Sequence, residues 1–222
     1  MDGKLIFCKD GILRFQSDYD NEKIIPYVLI EEALNIKQDV PTKLVLALTP
    51  LQTIEWELCR RNFTYWLFRW VKTLNEHASI TSEESDRFEN FPHLNYLMVM
   101  SEEITDPEKM VYLICKSRQM MLTWIIIAYV CWYALFHKNS RILMQSKKEE
   151  AAWDLIERLD AIYSKLPDFM KKYPVKKVKG KFVLGGENKS SVTALSQGAK
   201  QFKSYTSNIV FLDEAAQIED LI

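Results

Sequence analysis

With 222 residues, 48% of them hydrophobic and 27% charged, the chain is long enough to bury a core and has the make-up of a folded protein rather than a disordered one. Its net charge of −1 excludes a generally basic, histone-like protein, although Lys171 to Lys181 (KKYPVKKVKGK) places six lysines within eleven residues. That cluster reads first as solvated surface and second as a contact for DNA phosphates.

The N-terminus, MDGKLIFCKDGILRF, carries acidic residues and no apolar stretch of signal-peptide length, so the chain is not expected to be secreted. Four cysteines (Cys8, Cys59, Cys115, Cys131) form no CxxC pair, and three histidines (His77, His93, His137) stand far from them. This pattern suits reduced thiols in an intracellular compartment and no zinc site.

The first hundred residues are predicted helical and irregular. EKIIPYVLIEEALNI from Glu22 and LQTIEWELCRRNFTYWLFRWVKTLNEH from Leu51 carry apolar residues at helical spacing. Trp56, Phe63, Trp66, Leu67 and Trp70 make an aromatic stripe that reads as a core face, with a base-stacking platform as the alternative. SITSEESDRFENFP, between His77 and Pro92, is polar and acidic and suits a linker, so a helical subdomain is expected over 1–95 and a second region over 96–222.

From Met110 short apolar runs alternate with longer helical ones. Strands are predicted at Met110 to Ile114, Arg141 to Gln145 and Asn208 to Leu212, and helices at Thr123 to His137 and Lys148 to Lys165. KFVL and SVTAL flank GGENKS as a hairpin. Strands separated by helices argue for crossover units, hence an α/β fold with a mostly parallel sheet flanked by helices. Met120 to Phe136 holds seventeen uncharged residues, short of the about 20 that a membrane span needs, and reads as a buried helix.

Two segments carry chemistry. A phosphate-binding loop needs a strand, a turn with inward main-chain N–H groups, a cation for the phosphates, and a Ser or Thr for Mg²⁺ at the helix start. Against GxxxxGK[ST], KSRQMMLT at Lys116 matches only at Thr123; Met121 stands at the second glycine and Leu122 at the lysine. Lys116 and Arg118 can nonetheless supply positive charge from the same turn, or they can merely cap a strand end. NIVFLDEA then has the form of a Walker B strand, which would deliver Asp213 to Mg²⁺ and Glu214 to a water.

KSRQMMLTW, the run RILMQSKKEEAAWDLIERLDAIYSKLPDF, the turn with Ser204 and Thr206, and IVFLDEAAQ together resemble the N-terminal ATPase region of the large terminase subunit of tailed bacteriophages. The resemblance spans about residues 90 to 222 and implies a P-loop NTPase-like sheet, truncated after the Walker B strand and preceded by the helical subdomain. It further implies an ATP and Mg²⁺ site on Lys116, Ser117, Gln119, Met120, Met121, Leu122 and Thr123. In it Lys116 stands for the displaced loop lysine, Arg118 acts on the γ-phosphate, Thr123 and Asp213 hold Mg²⁺, and Glu214 handles the water. Lys203 falls where many members place a basic residue before the last strand. Implied partners are double-stranded viral DNA, the portal protein, the small terminase subunit and further copies in a ring, in the host cytoplasm and on the procapsid, with no membrane. Met121 departs from the family's small residue, and the coupling motif and nuclease domain have no counterpart. A helicase-like motor, and a non-catalytic DNA- or partner-binding module, remain as alternatives.

Overall fold

The computed structural model describes residues 3–7, 12–17, 22–26, 52, 54–74, 88–115, 120–195 and 206–217. Two units emerge, Met1–Arg61 and Asn62–Ile222.

In the first unit, strands β1 (Gly3–Phe7), β2 (Ile12–Ser17) and β3 (Glu22–Pro26) form an antiparallel sheet in the order β1-β2-β3. This overturns the helical expectation for residues 3–7, 12–17 and 22–26; the rest of the helix predicted from Glu22, 27–36, lies outside the described residues. The local chemistry suits strands: the apolar runs LIF and ILRF lie close together in sequence, and Ile24 and Ile25 are β-branched. Residues 54–61 are helical, as expected.

The second unit starts well before residue 96. Asn62 interrupts the predicted long helix: its backbone is extended, and its side chain accepts the Tyr65 N–H at 2.8 Å, an N-cap that starts α1 (Phe63–Trp70) afresh. Strands β4 (Lys72–Leu74) and β5 (Phe88–Asn90) pair antiparallel, and α2 (Asn95–Glu103) follows. Most of the predicted linker, 77–87, lies outside the described residues.

Phe63, Trp66 and Leu67 are buried, so the aromatic stripe is core here. Phe63 meets Tyr129 edge-on at 5.3 Å and Trp66 meets Phe136 at 6.4 Å. These partners belong to α3 (Leu122–Phe136), in which eleven of fifteen residues are buried. The uncharged run is therefore a central helix covered all round, and no helix among the described residues is long and apolar enough to cross a membrane.

The sheet has five strands: β6 (Arg141–Gln145), β7 (Val175–Val178), β8 (Lys181–Leu184), β9 (Ser191–Leu195) and β10 (Ile209–Leu212), in the order β10-β6-β9-β8-β7. β6 runs parallel to β10 and β9, whereas β8 and β7 are antiparallel additions, so the sheet is mixed rather than mostly parallel. The antiparallel half follows from two short turns, since only a crossover of a dozen or more residues can join parallel neighbours. Helix α4 (Glu149–Lys165) buries Leu155, Ile156, Leu159 and Ile162, and packs with α3 against β6 and β9.

A buried polar knot fixes the end of the sheet where β6 begins. Asn188 donates its side-chain N–H groups to the carbonyls of Ala134 and Leu135 at 3.1 and 3.0 Å, closing the last turn of α3. Its Oδ1 accepts the Ser190 N–H at 2.9 Å, and Ser190 Oγ accepts the Ser140 N–H at 3.1 Å. The opposite end of the sheet carries the carboxyl tips of β6 and β10.

The predicted strand at Met110 to Ile114 is not a strand. Met110, Val111 and Leu113 are 93%, 88% and 88% exposed, and the segment is held by the Tyr112 hydroxyl, which donates to the Glu103 carbonyl at 2.8 Å. β-Branched apolar residues favour a pleated setting only when a neighbouring strand receives them, and no described strand pairs with this one.

Candidate functional site

The ladder between β6 and β10 determines where the acidic pair falls. Leu212 pairs with Gln145, and the Asp213 N–H donates to the Gln145 carbonyl at 2.8 Å, carrying the parallel ladder one residue past β10. At the other end Asn208 exchanges two hydrogen bonds with the Arg141 main chain, at 2.7 and 2.8 Å. Asp213 is thus held at the carboxyl ends of parallel strands, where open α/β sheets place their ligands.

Helix α3 begins at the same rim. The Thr123 hydroxyl donates to Asp213 Oδ1 at 3.4 Å, across 90 residues of sequence. The structure therefore brings these two predicted residues together. Both offer hard oxygen donors, suited to Mg²⁺, which is commonly held by one or two protein ligands with phosphate and water completing the shell. Among the described residues no group of three or more His, Cys, Asp and Glu forms a metal cluster, so an all-protein cage is not what the donor set offers.

Met121, at the N-cap of α3, has φ 53° and ψ 12°, a left-handed backbone, with no side-chain capping hydrogen bond. The loop template wants glycine at this position, and the backbone here has the conformation that glycine tolerates best. The first N–H groups of a helix have no acceptor within it and carry the positive end of its dipole, so this turn favours an anion. Leu122 is 4% exposed, so its side chain belongs to the core and its share in any phosphate site is limited to the main chain. Met120, Met121 and Thr123 are half-buried. Lys116, Ser117, Arg118 and Gln119 lie outside the described residues, as do Lys203 and Ser204. Thr206 is described and exposed.

Glu214 also has a left-handed backbone, with φ 52°, and its Oε2 lies 2.7 Å from Lys147 Nζ. Sequence reasoning missed Lys147. It lies just beyond β6, and its meeting with Glu214 depends on β6 and β10 being neighbours, which no spacing in the sequence discloses. The order of strands was the needed signal.

Lys176 and Lys177 of the lysine cluster lie on β7, whose four residues are all exposed at the sheet edge. Lys177 pairs with Glu157 at 2.5 Å and Asp160 at 2.9 Å, Lys171 pairs with Asp168 at 2.9 Å, and Lys179 stands 3.6 Å from the Trp153 ring centre. Much of the cluster's charge is thus engaged within the chain, and lysines on an edge strand also discourage edge-to-edge pairing.

No protein-family model and no curated protein matches the sequence. Among solved structures, the chain is similar to the crystal structure of the HK97 bacteriophage large terminase, with a TM-score of 0.52 over 69% of this chain and 9% sequence identity. The match covers 37% of the terminase chain, so this chain spans well under half of it. At that identity the likeness is one of architecture: the chain has an α/β fold, with a mixed five-stranded sheet flanked by helices, like that of the terminase.

Proposed function

We infer that the chain is the ATP-binding and ATP-hydrolysing portion of a phage large terminase, which in the complete motor drives double-stranded viral DNA into procapsids. The observation that carries this reading is the 3.4 Å approach of Thr123 to Asp213 at the carboxyl rim of parallel strands, within a terminase-like fold.

In this reading Thr123 Oγ1 and Asp213 Oδ1 would hold Mg²⁺, which when bound would supply positive charge against the phosphates. The first N–H groups of α3 face the phosphates, and Lys116 and Arg118 bring positive charge from the preceding turn, shaped by Ser117, Gln119 and Met120. Glu214 orients the attacking water and accepts its proton. For Glu214 to do so, its carboxylate must leave Lys147. Catalysis is electrostatic positioning rather than covalent chemistry. The portal protein, the small terminase subunit and neighbouring copies in a ring are the partners this role requires, in the host cytoplasm and transiently on the procapsid.

Titration of a fluorescent ATP analogue with and without Mg²⁺ tests the reading. Mg²⁺-dependent binding that persists in Glu214→Gln, with turnover lost, supports it. Metal-independent binding, or none, refutes it.

A further inference from the structure

One polar group at the rim has no partner that the fold explains. Gln145, the last residue of β6, is 1% exposed, and its side-chain oxygen Oε1 accepts no hydrogen bond from any described residue. Its pairing neighbours are apolar on both sides, Leu212 on β10 and Leu195 on β9. A buried carbonyl left unsatisfied costs about 1–3 kcal/mol, and most buried polar atoms in native folds are paired. A methionine or leucine would fill the same volume without that cost.

The position of Gln145 shows what the amide is near. Its own main-chain carbonyl takes the Asp213 N–H, and two residues on Lys147 grips Glu214. The tip of β6 therefore contacts both members of the acidic pair. We propose that Gln145 is a positioning residue of the hydrolytic site: its side-chain carbonyl accepts a hydrogen bond from a water that the Asp213–Glu214 turn retains when Mg²⁺ and nucleotide are bound. The acceptor has no partner among the described residues and gains one in the loaded protein, so part of the binding free energy comes from satisfying it. This rests on the nucleotide reading above.

The test is Gln145→Met in the full chain, which keeps length and bulk and removes the acceptor. Thermal unfolding is measured alone and with Mg²⁺ and a non-hydrolysable ATP analogue, beside a binding titration. Expected are an unliganded Tm equal to or above wild type, a reduced nucleotide-induced shift, and affinity weakened about tenfold, the equivalent of one hydrogen bond. A fall of about 5 °C or more in the unliganded Tm overturns the proposal, because it means the amide was already satisfied. Unchanged affinity in a stable variant overturns it too. If wild type itself shows no Mg²⁺-dependent binding, the nucleotide reading fails and this inference falls with it, an outcome distinct from the other two.

Discussion

Lys147 Nζ holds Glu214 Oε2 at 2.7 Å, so the second carboxylate of the acidic pair is already engaged by the neighbouring strand's tip. Both side chains are more than a third exposed, and an ion pair of that kind contributes under about 1 kcal/mol to folding. Lys147→Ala is therefore expected to leave the urea midpoint almost unchanged. Under the proposed function it is expected to raise basal ATP turnover several-fold, because Glu214 would no longer have to break its contact with Lys147 before meeting water. Steady-state hydrolysis at low and high salt checks this, since raised salt should lift wild type towards the variant.

In the proposed site the Thr123 hydroxyl and the Asp213 carboxylate share one ion, so their removal should have one shared signature. Thr123→Val and Asp213→Asn are each expected to weaken Mg²⁺-dependent nucleotide binding by about tenfold or more, with little change when Mg²⁺ is absent. A double variant should lose little more than either single one, as residues serving one ion are not additive. Isothermal titration with and without Mg²⁺ measures both.

Met121 occupies a backbone conformation that disfavours a β-carbon by about 1–2 kcal/mol. Met121→Gly should raise stability by roughly 0.5–1 kcal/mol after the extra freedom of glycine in the unfolded chain is set against it. Urea unfolding should show a higher midpoint with an unchanged slope.

Asn188 closes the last turn of α3 through two buried hydrogen bonds. Asn188→Ala leaves the Ala134 and Leu135 carbonyls without that donor, and should cost roughly 2–4 kcal/mol. The loss should appear as a Tm reduction of several degrees by calorimetry, with the affinity for Mg²⁺ and nucleotide little changed in the folded fraction, because the knot lies at the far end of the sheet from Asp213.

Glu57 gives a pH dependence whose sign can be worked out. The Arg60 guanidinium hydrogen-bonded to it holds its carboxyl at about 2, against burial that pushes it up, and Arg61 adds to the effect. A carboxyl with a depressed folded-state pKa contributes stability above its unfolded value, and that contribution is lost as pH falls from about 4.5 towards 2. The side chain is 36% exposed, so screening limits the contribution to under about 1 kcal/mol. Glu57→Gln should flatten the acid limb of the stability profile between those values by that amount.

The sequence disclosed the elements whose signal is local. β6 falls on its predicted residues, α3 is displaced by a single position, and the hairpin of β8 and β9 follows from GGENKS between two apolar runs. The positions of Asp213 just past an apolar strand and of Thr123 at a helix start were legible because both signals lie in the neighbouring residues. Features set by non-local pairing stayed hidden. VKKV reads as surface, yet β8 recruits it as an edge strand, and the pairing of β1 to β3 was hidden behind the helical period read downstream. Met110 to Ile114 is the reverse case, a good strand sequence with no described strand beside it. Lys147 and Gln145 gain their meaning only from the strand order β10-β6.

The bareness of Met110, Val111 and Leu113 has a practical corollary. Among the described residues this stretch should be the one that a chymotrypsin-like protease seeking large apolar residues nicks, dividing the molecule into an N-terminal piece carrying Phe63 and Trp66 and a C-terminal piece carrying Thr123, Asp213 and Glu214. The aromatic contacts of Phe63 and Trp66 with Tyr129 and Phe136 would then act as a non-covalent clasp. The nicked halves should travel together on a sizing column and part only in denaturant.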